Sequence, residues 1–300
     1  MPVNYKIRAV IACLFWGSAF AGAKIAFQYV GPIYLSGMRF TLAGLMLMPI
    51  ILLKKENLRA NLKHWRFLTL FALIQTFLQY GIFFMGLHKV PGATSAIIIG
   101  AGPLFVALMA HLSLKDDKLN LRKIIAIALG LSGVIFISLA NGSVTEGYPS
   151  FYIGVGMLLL SNMIGSYTNI MVIKRKSYNI SPLVLTSYAN FTGGLMLLIT
   201  AFFVEKPEIK LYPAEFYISM IWLALIPAVS FSLWYGLLKR PGVKVSELNA
   251  WKFLVPVTGC VLSWLIIAGE TPNIASILGI FIIISSLWLL QMKKKTMKNE

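Results

Sequence analysis

The side chains able to do chemistry in this sequence sit in unusual company. Gln75, Gln79 and Tyr80 lie within one long apolar run and Asn162, Ser166 and Asn169 within another. Ser230 and Trp234 occupy a third, and Glu247, Asn249, Trp251 and Lys252 a fourth. Gln75 and Gln79 are one helical turn apart, and Asn162, Ser166 and Asn169 follow at intervals of four and three, so each set shares a helix face. Such a face can hydrogen-bond a polar solute, or it can bond one helix to another at about 0.6 kcal/mol per contact. The charged residues Lys24, Arg39, Glu247 and Lys252 also fall inside apolar runs, where a charge is costly in lipid and faces a bundle interior or water. Lys24 and Arg39 flank the turn at Gly31-Pro32 and can snorkel to an interface. Lys252 has fewer escapes: as an ammonium it attracts a carboxylate or phosphate, and neutralised by desolvation it carries a coupled proton. Pairing with Glu247 along one helix is poor, because five positions correspond to about 140° of rotation.

None of this resembles an enzyme's equipment. His64, His88 and His111 are scattered near the ends of apolar runs, and no His-Glu-x-x-His, glycine-rich phosphate loop or nucleophile elbow occurs. Asp116-Asp117, between Lys115 and Lys118, reads as a solvated turn rather than a metal–diphosphate site. Cys13 and Cys260 both sit in apolar runs, against a disulfide framework or a four-ligand zinc site. No catalytic residue, metal or cofactor is expected.

The elements that must position these residues follow from composition. Of 300 residues, 58% are hydrophobic and 12% charged, against about 25% charged in ordinary soluble domains. Apolar runs lie near 7–29, 33–53, 67–88, 93–114, 123–140, 151–173, 182–204, 215–238, 245–268 and 274–292. A bilayer core needs roughly 20 helical residues per crossing, so ten crossings use nearly the whole chain and leave no room for a separate soluble domain. Lys6 and Arg8 ahead of an apolar run, with Ala19-Phe20-Ala21, also fit a secretory signal, but the run continues through Val30.

The net charge of +17 would suggest a nucleic-acid partner in a soluble protein. Sorted by loop, however, 21 of the 27 basic residues fall on the side of the N-terminus. The opposite loops hold only Lys89, Lys206 and Lys210. The positive-inside rule then predicts ten spans with both termini cytoplasmic and removes the support for nucleic-acid binding.

Internal repetition supplies the architecture. Gly44-Leu45-Met46-Leu47 recurs as Gly194-Leu195-Met196-Leu197, each beginning twelve positions after a proline, Pro32 and Pro182. Pro103 precedes Asp117 by fourteen residues, as Pro256 precedes Glu270. Two copies of five spans put the second upside down relative to the first, the arrangement of many alternating-access transporters. The expected division is a first repeat at 1–145, a second at 146–292 and a basic cytoplasmic tail at 293–300. Pro103 and Pro256 each deprive the carbonyl four residues earlier of its helical donor, so spans four and nine are expected to kink and to serve in gating.

Trp16-Gly17-Ser18-Ala19-Phe20 with Lys24, followed by Arg39-Phe40, resembles the start of the ten-helix EamA-type proteins of the drug/metabolite transporter superfamily. The prolines of spans four and nine, the acid closing each of those hairpins, and Gly279 extend the resemblance over essentially the full length, while Asp117 and Ser286 depart from the usual glutamate and glycine. What it implies is an all-α protein of the bacterial inner membrane that exports small metabolites, amino acids or drugs through a cavity between its halves. The cavity candidates are Gln75, Gln79, Tyr80, Asn162, Ser166, Asn169, Ser230, Trp234, Asn249, Trp251 and Lys252, with Lys24, Arg39, Glu247 and Lys252 as coupling candidates. The expected partners are a small-molecule solute, the lipid bilayer and a proton or ion gradient, in a monomer or homodimer. A flippase for lipids or lipid-linked sugars remains the alternative and predicts a side opening; a membrane-embedded enzyme, a passive channel or a receptor fits less well.

Overall fold

The structure is a computed structural model and describes residues 3–114, 118–142, 150–208, 210–243 and 245–291. It is an all-α bundle of ten spans. Helices α1 (Val3–Ala26), α2 (Pro32–Leu53), α3 (Trp65–His88), α4 (Gly92–Ser113) and α5 (Leu121–Gly142) form the first half. The second half comprises α6 (Phe151–Lys174), α7 (Pro182–Val204), α8 (Ala214–Leu238), α9 and α10 (Ile274–Gln291). The α9 span is built of Val245–Asn249 and Leu254–Ile266, joined by a 3₁₀ segment at Ala250–Phe253. Seven of the helices are long and apolar enough to cross a membrane on length and composition alone. At 22 to 25 residues these rise about 33–37 Å, enough for a hydrocarbon core of about 30 Å. Leu53, Phe203, Leu265 and Phe281 point outward, each at least 70% exposed, as a lipid-covered surface requires.

The helix contacts obey an internal two-fold rule. Helix α1 packs on α8 and α9, and its counterpart α6 packs on α3 and α4; α2 pairs with α7, α4 with α9, and α5 with α10. Exchanging each helix with the one five places on leaves this pattern unchanged, as inverted repeats demand. The repeated glycines lie on the axis. A methyl group at Gly44 would stand 2.6 Å from the Phe191 backbone nitrogen, and one at Gly194 would stand 2.4 Å from that of Thr41. Each copy of the motif therefore supplies the missing side chain that lets α2 and α7 cross backbone to backbone, and Ser187 Oγ donates to the Gly44 carbonyl at 2.8 Å across the crossing.

The spans bearing Pro103 and Pro256, α4 and α9, are broken rather than bent. Helix α4 stops at Gly100 and restarts at Gly102, with Pro103 in the first turn of the new segment. The two breaks touch: a side chain at Gly100 would meet Pro256 at 2.6 Å. Helix α3, which the sequence presents as one continuous run, carries a wide π-turn at Leu73–Leu78, where Thr76 and the Ala72 carbonyl press on Gly193 of α7. Two helices of the first half begin on carboxylates of the second. Ile33 and Tyr34 donate their N–H groups to the two Glu205 oxygens at 2.8 Å each, and Gly92 and Ala93 donate to those of Glu270 at 2.6 and 2.8 Å. The expected boundary at 145/146, the tail 293–300 and Asp117 lie outside the described residues.

Candidate functional site

Where the broken spans cross, α1, α2, α3, α4, α6, α8 and α9 enclose a cavity with about 940 Å³ of empty space, counting its mouth. The π-turn of α3 holds Gln75 and presents Gln79 and Tyr80 just beyond it to the same wall. A π-turn at a functional surface is a recurrent use of that otherwise unfavourable geometry. Gln79 reaches the wall because residue 165 has no side chain: a methyl there would lie 2.5 Å from the Gln79 amide nitrogen.

The polar stripe of α6 forms the opposite wall. Asn162 donates Nδ2–H to the Ile98 carbonyl at 3.0 Å, a second donor to a carbonyl that also accepts the Ala101 N–H at 3.2 Å beside the break in α4. Ser166 donates back to the Asn162 carbonyl at 2.7 Å, and Asn169 donates to the Gly165 carbonyl at 2.7 Å. The remaining Asn169 oxygen accepts the Trp234 indole N–H at 3.0 Å. These amides both line the cavity and tie α6 to α4 and α8.

The cations are held by aromatic rings. Lys252 Nζ lies 5.0 Å from the ring centroids of both Trp16 and Trp234, which meet edge to face with centroids 5.0 Å apart. Arg39 does not snorkel to an interface: its side chain is 2% exposed, with Cζ 4.8 Å from the Phe40 ring centroid and 5.0 Å from that of Phe84. Cation–π attraction contributes about 2 kcal/mol for a desolvated cation, less than the several kcal/mol that removing an ion from water costs. Both cations line the cavity, and its wall contains no carboxylate among the described residues.

Of the residues singled out from sequence, Gln75, Gln79, Tyr80, Asn162, Ser166, Asn169, Trp234, Lys252 and Arg39 come together in this wall. Ser230, Asn249 and Trp251 do not. Ser230 is buried away from it, Asn249 donates to the Val245 carbonyl at 3.0 Å, and Trp251 packs against the core. Lys24 stands toward the other end of α1, where its charge acts on Glu270. Pro103 and Pro256 flank the wall, to which their neighbours Gly102 and Val255 contribute. The Glu247 side chain lies outside the described residues. Sequence reasoning passed over the contributions of Trp16, Ser161, Phe231 and Pro227, a proline inside α8. Pro227 carried the same signal as Pro103 and Pro256.

Comparison with known proteins places these features in a wider set. The model of the EamA-like transporter family matches residues 6–139 and again 153–292. The uncharacterized transporter YvbV of Bacillus subtilis (strain 168) is 24% identical over 286 residues, which is 95% of this chain and 90% of that protein. The S-adenosylmethionine/S-adenosylhomocysteine transporter of Chlamydia trachomatis serovar L2 is 27% identical over 188 residues, covering 61% of this chain and 57% of its own length. A protein of known crystal structure superposes with a TM-score of 0.73 over 97% of this chain and 98% of its own, at 18% identity, and so shares the fold.

Proposed function

This chain belongs to the EamA-like transporter family of the drug/metabolite transporter superfamily, and from that premise we propose that it is a secondary transporter exporting small metabolites by alternating access. The solutes are amino acids or related polar or amphipathic compounds. The observation that carries the reading is the cavity at the crossing of two broken helices, one from each inverted half, with polar side chains of both halves in its wall. Rocking one half against the other about the α2–α7 crossing would expose that cavity to one side and then the other. The Chlamydia relative's named substrates are in keeping with an amino-acid-like solute.

The distribution of basic residues supports a bacterial-type inner-membrane location with both termini in the cytoplasm. With no nucleotide-binding loop in the sequence, the drive in this reading is a proton or ion gradient. The proposal divides the chain at 145/146, leaves 293–300 as a cytoplasmic tail, and takes the working unit as a monomer or homodimer.

One feature favours a second reading, a lipid flippase. A groove between α1, α8 and α9, lined by Ile218, Trp222, Leu262 and Ile266, opens on the apolar exterior. It shares no lining residue with the central cavity, which is why the metabolite reading is preferred. Flux into proteoliposomes, screened over amino acids, nucleosides and fluorescent phospholipids with and without a pH gradient, tests the choice. Solute movement is expected; phospholipid scrambling with no solute flux would replace the first reading by the second.

A further inference from the structure

We propose that the central cavity is an anion site and that the solute it carries is an organic acid or phosphate ester, engaged through its anionic group by Arg39 and Lys252. This rests on the transporter reading and narrows its substrate class. Three observations point the same way. First, both cations line the cavity and neither is neutralised from its wall, which holds no carboxylate among the described residues.

Second, the buried side-chain atoms of the wall that lack a hydrogen-bond partner are all donors: Arg39 Nε and Nη1, Gln75 Nε2 and Trp16 Nε1. Buried polar groups are ordinarily satisfied, and a set of unmatched donors beside unpaired cations is complementary to a group that only accepts. A carboxylate or phosphate is such a group. A quaternary or sulfonium cation is not, and the ring faces that would receive one, those of Trp16 and Trp234, are taken by Lys252.

Third, the wall also carries a large aromatic surface. Phe20, Phe83, Phe231 and Tyr235 line it alongside the polar groups. That suits an anion with an organic body rather than chloride or inorganic phosphate.

The test measures binding to full-length protein in detergent by isothermal titration, with malate, glycerol 3-phosphate and choline as probes. Malate or glycerol 3-phosphate should bind at least about tenfold more tightly than choline, and whichever of the two binds better identifies carboxylate or phosphate as the preferred group. Arg39→Gln and Lys252→Gln should each weaken that binding about tenfold or more, while Arg39→Lys keeps most of it. Equal or tighter binding of choline, no binding of either anion, or unchanged anion affinity in both glutamine variants would overturn the proposal. Should a variant fail to fold, the wild-type ranking alone decides. Counterflow in proteoliposomes separates the two readings. Anions that bind but never cross would sink the transporter reading and leave the anion site. Flux of a cationic solute insensitive to both anions would do the reverse.

Discussion

The two ends of the bundle are sealed by different chemistry. At the end bearing Glu205 and Glu270, two helix N-termini of the first half rest on carboxylates of the second, each accepting two backbone N–H groups. Opposite charge at a helix N-terminus and paired charge-assisted bonds make these strong contacts, and both cross between the halves. At the basic end the corresponding cross-half contact is neutral: the Ser181 N–H donates to Asn61 Oδ1 at 2.6 Å, and Thr69 and Tyr188 share a hydroxyl bond at 2.9 Å. Lysines there bond within their own half, Lys176 donating to the Arg240 carbonyl, Lys239 to that of Ile180 and Lys118 to that of His111. The difference teaches which end the structure latches. The carboxylate end carries the stronger charged contacts between the halves, while the basic end is joined by weaker neutral bonds.

The largest effect is expected from Glu205→Gln combined with Glu270→Gln. Glutamine presents an NH₂ where the second oxygen stood, so one backbone N–H of each pair loses its acceptor. Each clasp should lose about 1.5–3 kcal/mol, which alone shifts the balance between closed and open about 10- to 150-fold and in the double variant by about 150-fold or more. Ser161, in the cavity wall, reports this as Ser161→Cys in a Cys13→Ser, Cys260→Ser background. A membrane-impermeant maleimide added from the Glu205 side should label it more than tenfold faster in the double variant. An unchanged rate would break the reading that these carboxylates hold that end closed.

Much of this was legible in the sequence, for reasons that particular residues show. The two Gly-Leu-Met-Leu copies announced the inverted repeat, because a crossing on a two-fold axis needs the same small residue twice. The α6 stripe was legible because helical periodicity alone puts Asn162, Ser166 and Asn169 on one face. Arg39 was not: its aromatic cradle includes Phe84, from another helix, and nothing local distinguishes a cradled arginine from a snorkelling one. The pairing of Trp16 with Trp234 joins residues from the two halves of the chain. Asn249 and Trp251 were drawn to the cavity by proximity to Lys252, yet the Val245–Asn249 segment packs on the second part of α4, and that packing decides which residues face inward. The π-turn of α3 answers to Gly193 of α7, a neighbour that periodicity cannot see.

A smaller effect is expected at the basic end. Asn61→Ala removes the acceptor of the Ser181 N–H and a donor to the Asn57 carbonyl, both neutral, part-buried bonds worth about 0.5–1.5 kcal/mol each. Labelling of Ser161→Cys from the N-terminal side should therefore rise less than the carboxylate variant raises it from the other. An equal or larger rise would reverse the ranking of the two seals.

The smallest effect tests whether the basic end bears an electrostatic cost. Lys239, just beyond α8, is partly buried, and desolvation lowers its pKa from 10.5 to about 8. Between those values the unfolded chain binds the extra proton, so stability must rise with pH from about 8 towards 10.5 as the penalty of burying the ammonium disappears. Because the group is also partly solvated, the gain is modest, about 1–3 °C in melting temperature. Lys239→Met should remove that slope relative to wild type, in melts recorded across the same window. If the two proteins show parallel slopes, the lysine sits at that end without penalty, and the contrast between the ends rests on the carboxylates alone. A slope that disappears means that the basic end surrenders stability to hold its lysine, while the other end gains from its acids. The weaker seal is then the one facing the side with the most positive charge.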